Sequence, residues 1–106
     1  MSAHDDGELL ALVLRLADAH VRHAESGLAE LRGKGRGQFI ADRTGELEAI
    51  RQRLAKAATV QANEGTLDRA HALMRDIERV HDSIDAAVTD AEVEMSRWRA
   101  TAGVAS

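Results

Sequence analysis

Apolar residues recur along most of the chain at alternating steps of three and four, in three separate runs. The longest run lies between Thr66 and Trp98 and consists of Leu67, Ala70, Met74, Ile77, His81, Ile84, Val88, Ala91, Met95 and Trp98. This spacing keeps one stripe of an α-helix facing a partner helix. It predicts a helix of about 33 residues, or about 50 Å.

Two earlier runs predict two further helices. The first is Leu10, Leu14, Ala17, Val21, Ala24, Leu28 and Leu31. The second is Ile40, Leu47, Ile50, Leu54, Ala57 and Gln61, and Gly45 could instead mark a later start of this helix, with Thr44 as its N-cap. Three glycines between Arg32 and Gly37 break the first helix, and Thr66 is suited to cap the third. We predict helices at about residues 8–32, 39–63 and 66–99, with a flexible arm at 1–7 and a flexible tail at 101–106.

Three amphipathic helices joined by two short loops predict an all-α fold, an up-down-up three-helix bundle with coiled-coil-like heptads and a long C-terminal helix. We expect residues 8–100 to form a single domain. Folding about the loops places Leu54 beside Met74 and Ile50 beside Ile77. A wider apolar belt near the start of the first helix predicts that this end is the more deeply buried one; it comprises Leu9, Leu12, Val13 and Leu16.

The third helix is longer than the two helices that fold against it. From about Asp90 its stripe continues without a predicted neighbour, so about 15 Å of half-apolar helix requires another surface. Val88, Ala91, Met95 and Trp98 are therefore predicted to bind a partner protein or a second copy of the chain.

Composition narrows the classes of function. The chain has no cysteine, which excludes disulfides, thiolate metal sites and thiol nucleophiles. Its net charge of −4 argues against general nucleic-acid binding. The longest apolar run, Leu9 to Leu14, is too short to span a bilayer and lacks the basic flank of a signal peptide, so we expect no membrane association and a cytoplasmic location.

The loop between the first two predicted helices is basic. Its cations are Arg32, Lys34 and Arg36, but it lacks the Lys-Ser/Thr ending of a phosphate-binding P-loop. The predicted packing brings it near an acidic run on the third helix, which contains Asp85, Asp90, Glu92 and Glu94. We expect ion pairs between the two segments, each worth about 0.2 to 1 kcal/mol.

Histidines give the chain a candidate site for chemistry. The predicted packing brings His20 and His23 to the level of His81, and Glu78 precedes His81 by three residues, as in metal-binding helical bundles. Together these four residues would suit zinc or iron. The alternative is that His81 is a polar heptad residue that fixes the alignment of the helices, and no cofactor is then expected.

The segment from Arg75 to His81 resembles the Arg, polar residue, then His pattern of HEPN-type ribonucleases, and Arg15 with His20 gives a poorer copy. The resemblance covers seven residues. It implies a dimer that cleaves RNA, with His81 in acid–base chemistry and Arg75 stabilising phosphate charge.

The pattern as a whole favours a non-enzymatic helical interaction module over either alternative. No residue is assigned a catalytic role in this interpretation, and no Ser, His and carboxylate arrangement is readable in the chain. We expect an adaptor or assembly component that binds a protein partner or forms a homodimer through the extended third helix.

Overall fold

The chain folds into three helices that pack against one another. The computed structural model describes the backbone of residues 3–105 and the side chains of residues 6–101. The helices are α1 (Ala3–Glu30), α2 (Gly37–Ala57) and α3 (Glu64–Ala105), and every pair of them is in contact. The described residues contain no strand. The predicted all-α three-helix bundle is confirmed.

Contacts between the helices give the direction of each. Arg51 of α2 forms ion pairs with Asp18 and Glu25 of α1, and Arg53 of α2 pairs with Asp76 of α3. The hydrogen bond to Glu25 is the main cause that raises the pKa of Arg51 above its ordinary value. Leu54, Met74, Ile50 and Ile77 lie together in one cluster, as the predicted pairs require. The helices therefore run up, down and up.

The core consists of two clusters of mainly aliphatic side chains. The larger one fills the middle and the loop end of the bundle, and its fully buried members include Val21, Leu31, Ile77 and Ile84. The smaller one, at the start of α1 and α3, contains Leu10, Val13, Leu67 and Ala70. The small volume of the alanines allows close helix packing, and a Cβ atom added to Gly27 would lie 2.7 Å from Cγ2 of Ile84.

The start of α1 is not the deeply buried end that we predicted. Leu9, Leu12 and Leu16 are all exposed, and only Val13 of the apolar belt is buried. The reason is geometric, because each helix of a three-helix bundle turns one stripe to its neighbours. Leu10, Val13 and Ala17 already occupy that stripe on α1, which leaves the other leucines on its flank.

The helix boundaries differ from the predicted ones at both ends of the chain. Helix α1 begins at Ala3, so residues 3–7, predicted as an arm, are helical. Helix α3 continues to Ala105, so the predicted tail is helical over 101–105. Neither segment contains a proline that would end a helix earlier.

The two connections also differ in detail. Helix α2 ends at Ala57 rather than at residue 63. The cap of α3 is Asn63 and not Thr66: the Thr66 amide donates to Oδ1 of Asn63, and the Asn63 amide donates to Oγ1 of Thr66. This reciprocal arrangement is a capping box that starts α3 two residues earlier than predicted. In the first loop, Gly33 and Gly35 both have φ of +76°, a conformation that favours glycine.

Candidate functional site

Helix α3 extends beyond the end of the bundle. Helix α1 ends at Glu30 and α2 begins at Gly37, so the first loop closes the bundle at this end. The last buried residue of α3 is Ala91, and every residue from 92 to 101 is exposed. The free segment, residues 92–105, is about 20 Å of helix. We call it the α3 extension.

The structure divides the four residues predicted to bind a partner into two pairs. Val88 packs against the core cluster, and Ala91 is a buried member of it. Met95 is 42% exposed and Trp98 is 68% exposed. The bundle thus covers the stripe one turn further than predicted, since the loop reaches over α3 as far as Glu94. Only Met95 and Trp98 remain as an uncovered continuation of the core stripe.

Val93 lies on the opposite side of the α3 extension. Val93 is 42% exposed, as much as Met95, but it precedes Met95 by two residues. Two residues correspond to about 200° of rotation around an α-helix, so Val93 and Met95 face opposite directions. Val93 therefore lies outside the stripe and offers a matched control for it.

The basic loop contacts the acidic run as expected, through one of its three cations. Arg36 donates from Nη2 to Oε1 of Glu94 at 2.9 Å and from Nη1 to Oε2 at 3.4 Å. Arg32 and Lys34 are exposed. A third bond, from Arg36 to the carbonyl of Lys34, holds the arginine in position. This loop thus fixes the base of the α3 extension.

Charges on the α3 extension are separated along its length. Glu92 and Glu94 lie near its base, and Arg97 and Arg99 follow beyond Met95. All four residues are exposed. Within the described part of the chain, neither Glu92 nor Arg99 forms an ion pair. Their spacing of seven residues puts them on the same flank of the stripe formed by Met95 and Trp98.

A cluster of three histidines lies on the contact between α1 and α3. The ring centroid of His81 is 5.5 Å from that of His20 and 4.9 Å from that of His23, and both pairs meet edge to face. The His81 side chain is 14% exposed, and its Nε2 atom lies 3.5 Å from Oδ1 of Asp85. The Nε2 atom of His81 is buried and has no hydrogen-bond partner.

The metal hypothesis involved these three histidines and Glu78. Glu78 is exposed. Among the residues that the structure describes, no group of three or more His, Asp or Glu side chains is arranged to hold a metal ion. Zinc or iron at this cluster would first require its side chains to rearrange. The metal site stays a prediction, which a thermal shift with added Zn²⁺ or Fe²⁺ on wild type and His81→Leu would test.

The residues that resemble the ribonuclease pattern lie on different sides of α3. Arg75 and His81 are six residues apart, which separates them by about 120° around the helix. Arg75 is exposed, whereas His81 faces α1 through its contacts with His20 and His23. The polar residue between them, Asp76, is held by ion pairs with Arg53 and Arg79. RNA cleavage stays a prediction; it would be supported if toxic expression were relieved by His81→Ala.

One exposed apolar group lies outside the sites predicted from the sequence. Leu9, Leu12 and Leu16 follow the spacing of a helical stripe and lie exposed on the flank of α1. Their spacing is the same as that of core residues, so spacing alone predicts that they are buried. The property that separates them is the number of apolar stripes that three helices can bury.

Comparisons of this chain with protein-family models, with curated proteins and with solved structures found no match. The resemblance to HEPN-type ribonucleases therefore depends on its seven residues alone. Within the described part of the chain, no helix combines the length and apolar character that crossing a membrane requires.

Proposed function

We propose that this protein is a non-enzymatic helical interaction module whose binding element is the α3 extension. The bundle holds the base of the helix and presents its far end. In this role the protein would act as an adaptor or assembly component that joins a second copy or a partner protein. A cytoplasmic location is part of the proposal and rests on the sequence alone.

One observation supports the proposal above the others. Trp98, the only tryptophan of the chain, is 68% exposed on a stripe that is buried or partly buried along α3 up to Ala91. Burying a large aromatic side chain stabilises an interface by several times the contribution of a small one, and tryptophan is enriched at the centres of protein interfaces. Met95, one turn earlier, adds a flexible apolar side chain.

The role of the bundle is to limit the conformations of the binding element. An isolated helix of the length of the α3 extension is marginal in water. Here its first turns belong to a long helix that is anchored by the core and by the pair between Arg36 and Glu94. A partner then binds a preformed helix and loses less conformational entropy in ordering it.

Light scattering on purified wild type and on the double variant Met95→Asp, Trp98→Asp tests the proposal. We expect the wild type to associate with itself or with a captured partner, and the double variant to lose this association. Val93→Asp, which places the same charge at an equally exposed site of the opposite face, should behave as wild type. The proposal is wrong if the wild type is monomeric and retains no partner that the double variant loses.

A further inference from the structure

We propose that the α3 extension pairs with the α3 extension of a second copy of this chain, in antiparallel orientation. This inference rests on the proposed function and names its partner. The two extensions would overlap over about residues 92–101, with the two-fold axis between residues 96 and 97. Met95 of each copy then packs against Trp98 of the other.

The shape of the bundle selects the antiparallel orientation. Up to Ala91, α1 and the first loop occupy the side of α3 that Met95 and Trp98 continue. In a parallel pair, the second bundle would need the same space as the first. In an antiparallel pair, the second bundle lies toward the C-terminal end of the first, and the contact is formed by residues 92–101 of the two extensions.

The distribution of charge is complementary in the same arrangement. In antiparallel helix pairs, residues on the same flank of the two stripes approach each other. With Met95 against Trp98 of the second copy, Glu92 of each copy lies opposite Arg99 of the other. Both side chains are exposed and form no ion pair within the described residues. Because the dimer is symmetric, it contains two copies of this ion pair.

The length of the α3 extension sets the size of the contact. Its residues 92–105 begin where the bundle stops covering α3. An overlap centred between residues 96 and 97 sets residue 92 of one copy beside residue 101 of the other, so the last turn of each helix, residues 102–105, has to turn aside from the first loop of the other copy. The contact is about 15 Å long, which places it at the small end of protein interfaces and predicts a weak dimer.

Charge reversal combined with sedimentation equilibrium tests the pairing. Glu92→Arg and Arg99→Glu each replace two attractive contacts of the dimer by two repulsive ones, so each should raise the dimer dissociation constant roughly tenfold. The double variant Glu92→Arg, Arg99→Glu should restore the wild-type dissociation constant. An equimolar mixture of the two single variants should associate more tightly than either variant alone, since both contacts are then attractive. Circular dichroism checks that each variant stays helical.

Two results would overturn the inference. One is a wild type that stays monomeric up to about 1 mM, where even a weak dimer forms. The other is a wild-type dimer that Glu92→Arg does not weaken, because a parallel pair would use Glu94 with Arg99 and leave Glu92 unpaired. The first result still leaves the proposed function standing if a partner is captured through Trp98 and not through Val93; without such a partner, both proposals fail.

Discussion

Arg36 donates hydrogen bonds to both carboxylate oxygens of Glu94, and this contact joins the first loop to the last part of α3 that the bundle reaches. It lies one turn after Ala91, the last buried residue of the helix. Everything beyond it is exposed over the side chains that the structure describes. The pair therefore marks the boundary between the folded bundle and its projecting helix.

Replacing Arg36 by Gln tests the contribution of this contact. The pair is partly exposed, so we expect the free energy of unfolding to fall by about 0.2 to 1 kcal/mol and the loss to shrink in high salt. Urea denaturation at low and high salt measures both effects. Lys34→Gln removes an exposed cation from the same loop and should change stability less. Equal losses for the two variants would mean that the pair with Glu94 adds nothing specific.

The close approach of α1 and α3 at Gly27 gives a second prediction. Gly27→Ala should improve helix propensity by about 1 kcal/mol, but its Cβ would lie 2.7 Å from Cγ2 of Ile84. Ile84 is fully buried and its Cγ2 methyl group is attached directly to Cβ, so overpacking should dominate and lower stability by about 1 kcal/mol. Thermal and urea denaturation measure the change.

Gly45→Ala is the matched control for that substitution. Gly45 also lies inside a helix, but nothing comes within 4 Å of an added Cβ atom. It should therefore raise stability by about 0.5 to 1 kcal/mol through helix propensity alone. If Gly27→Ala stabilises the protein as much as Gly45→Ala, the two helices are further apart than described.

His81 is predicted to reduce the stability of the core. Its Nε2 atom is buried without a hydrogen-bond partner, and an unsatisfied buried polar atom costs about 1 to 3 kcal/mol. His81→Leu replaces this polar side chain by an apolar one at the same heptad position and should raise the free energy of unfolding by about 1 kcal/mol. His71→Leu, at an exposed position of the same helix, should give no such gain. A loss of stability in His81→Leu would show that the histidine cluster is stabilising as it stands.

Heptad spacing was sufficient to predict the fold. The runs that contain Val21, Ile50 and Ile77 identified three helices, and the two short connections between them set their directions. The length of the loops also predicts which residues of neighbouring helices lie at the same height along the bundle. His81 contacts His20 and His23, as this alignment predicts. Spacing could not distinguish Leu12 from Val13, since both fit an apolar stripe and only the number of neighbouring helices decides between them.

The candidate site was predicted in outline. Met95 and Trp98 are uncovered, as their position beyond the shorter helices required. Ala91 is covered because the first loop extends over α3, and the path of a loop depends on backbone angles such as those of Gly33 and Gly35. Spacing does not predict what the extension binds. An apolar stripe identifies an apolar surface, but it does not identify the molecule that covers this surface.

The fluorescence of Trp98 tests the central claim most directly, because it is the only tryptophan and reports on the α3 extension alone. In a dilute sample of wild type, Trp98 should emit as an exposed indole and be readily quenched by acrylamide. As the protein concentration rises and the extensions associate, the emission should shift to the blue and quenching should fall, in wild type and in Val93→Asp but not in Met95→Asp. Emission and quenching that do not change with concentration, or a Trp98 already shielded in the dilute monomer, would contradict the account.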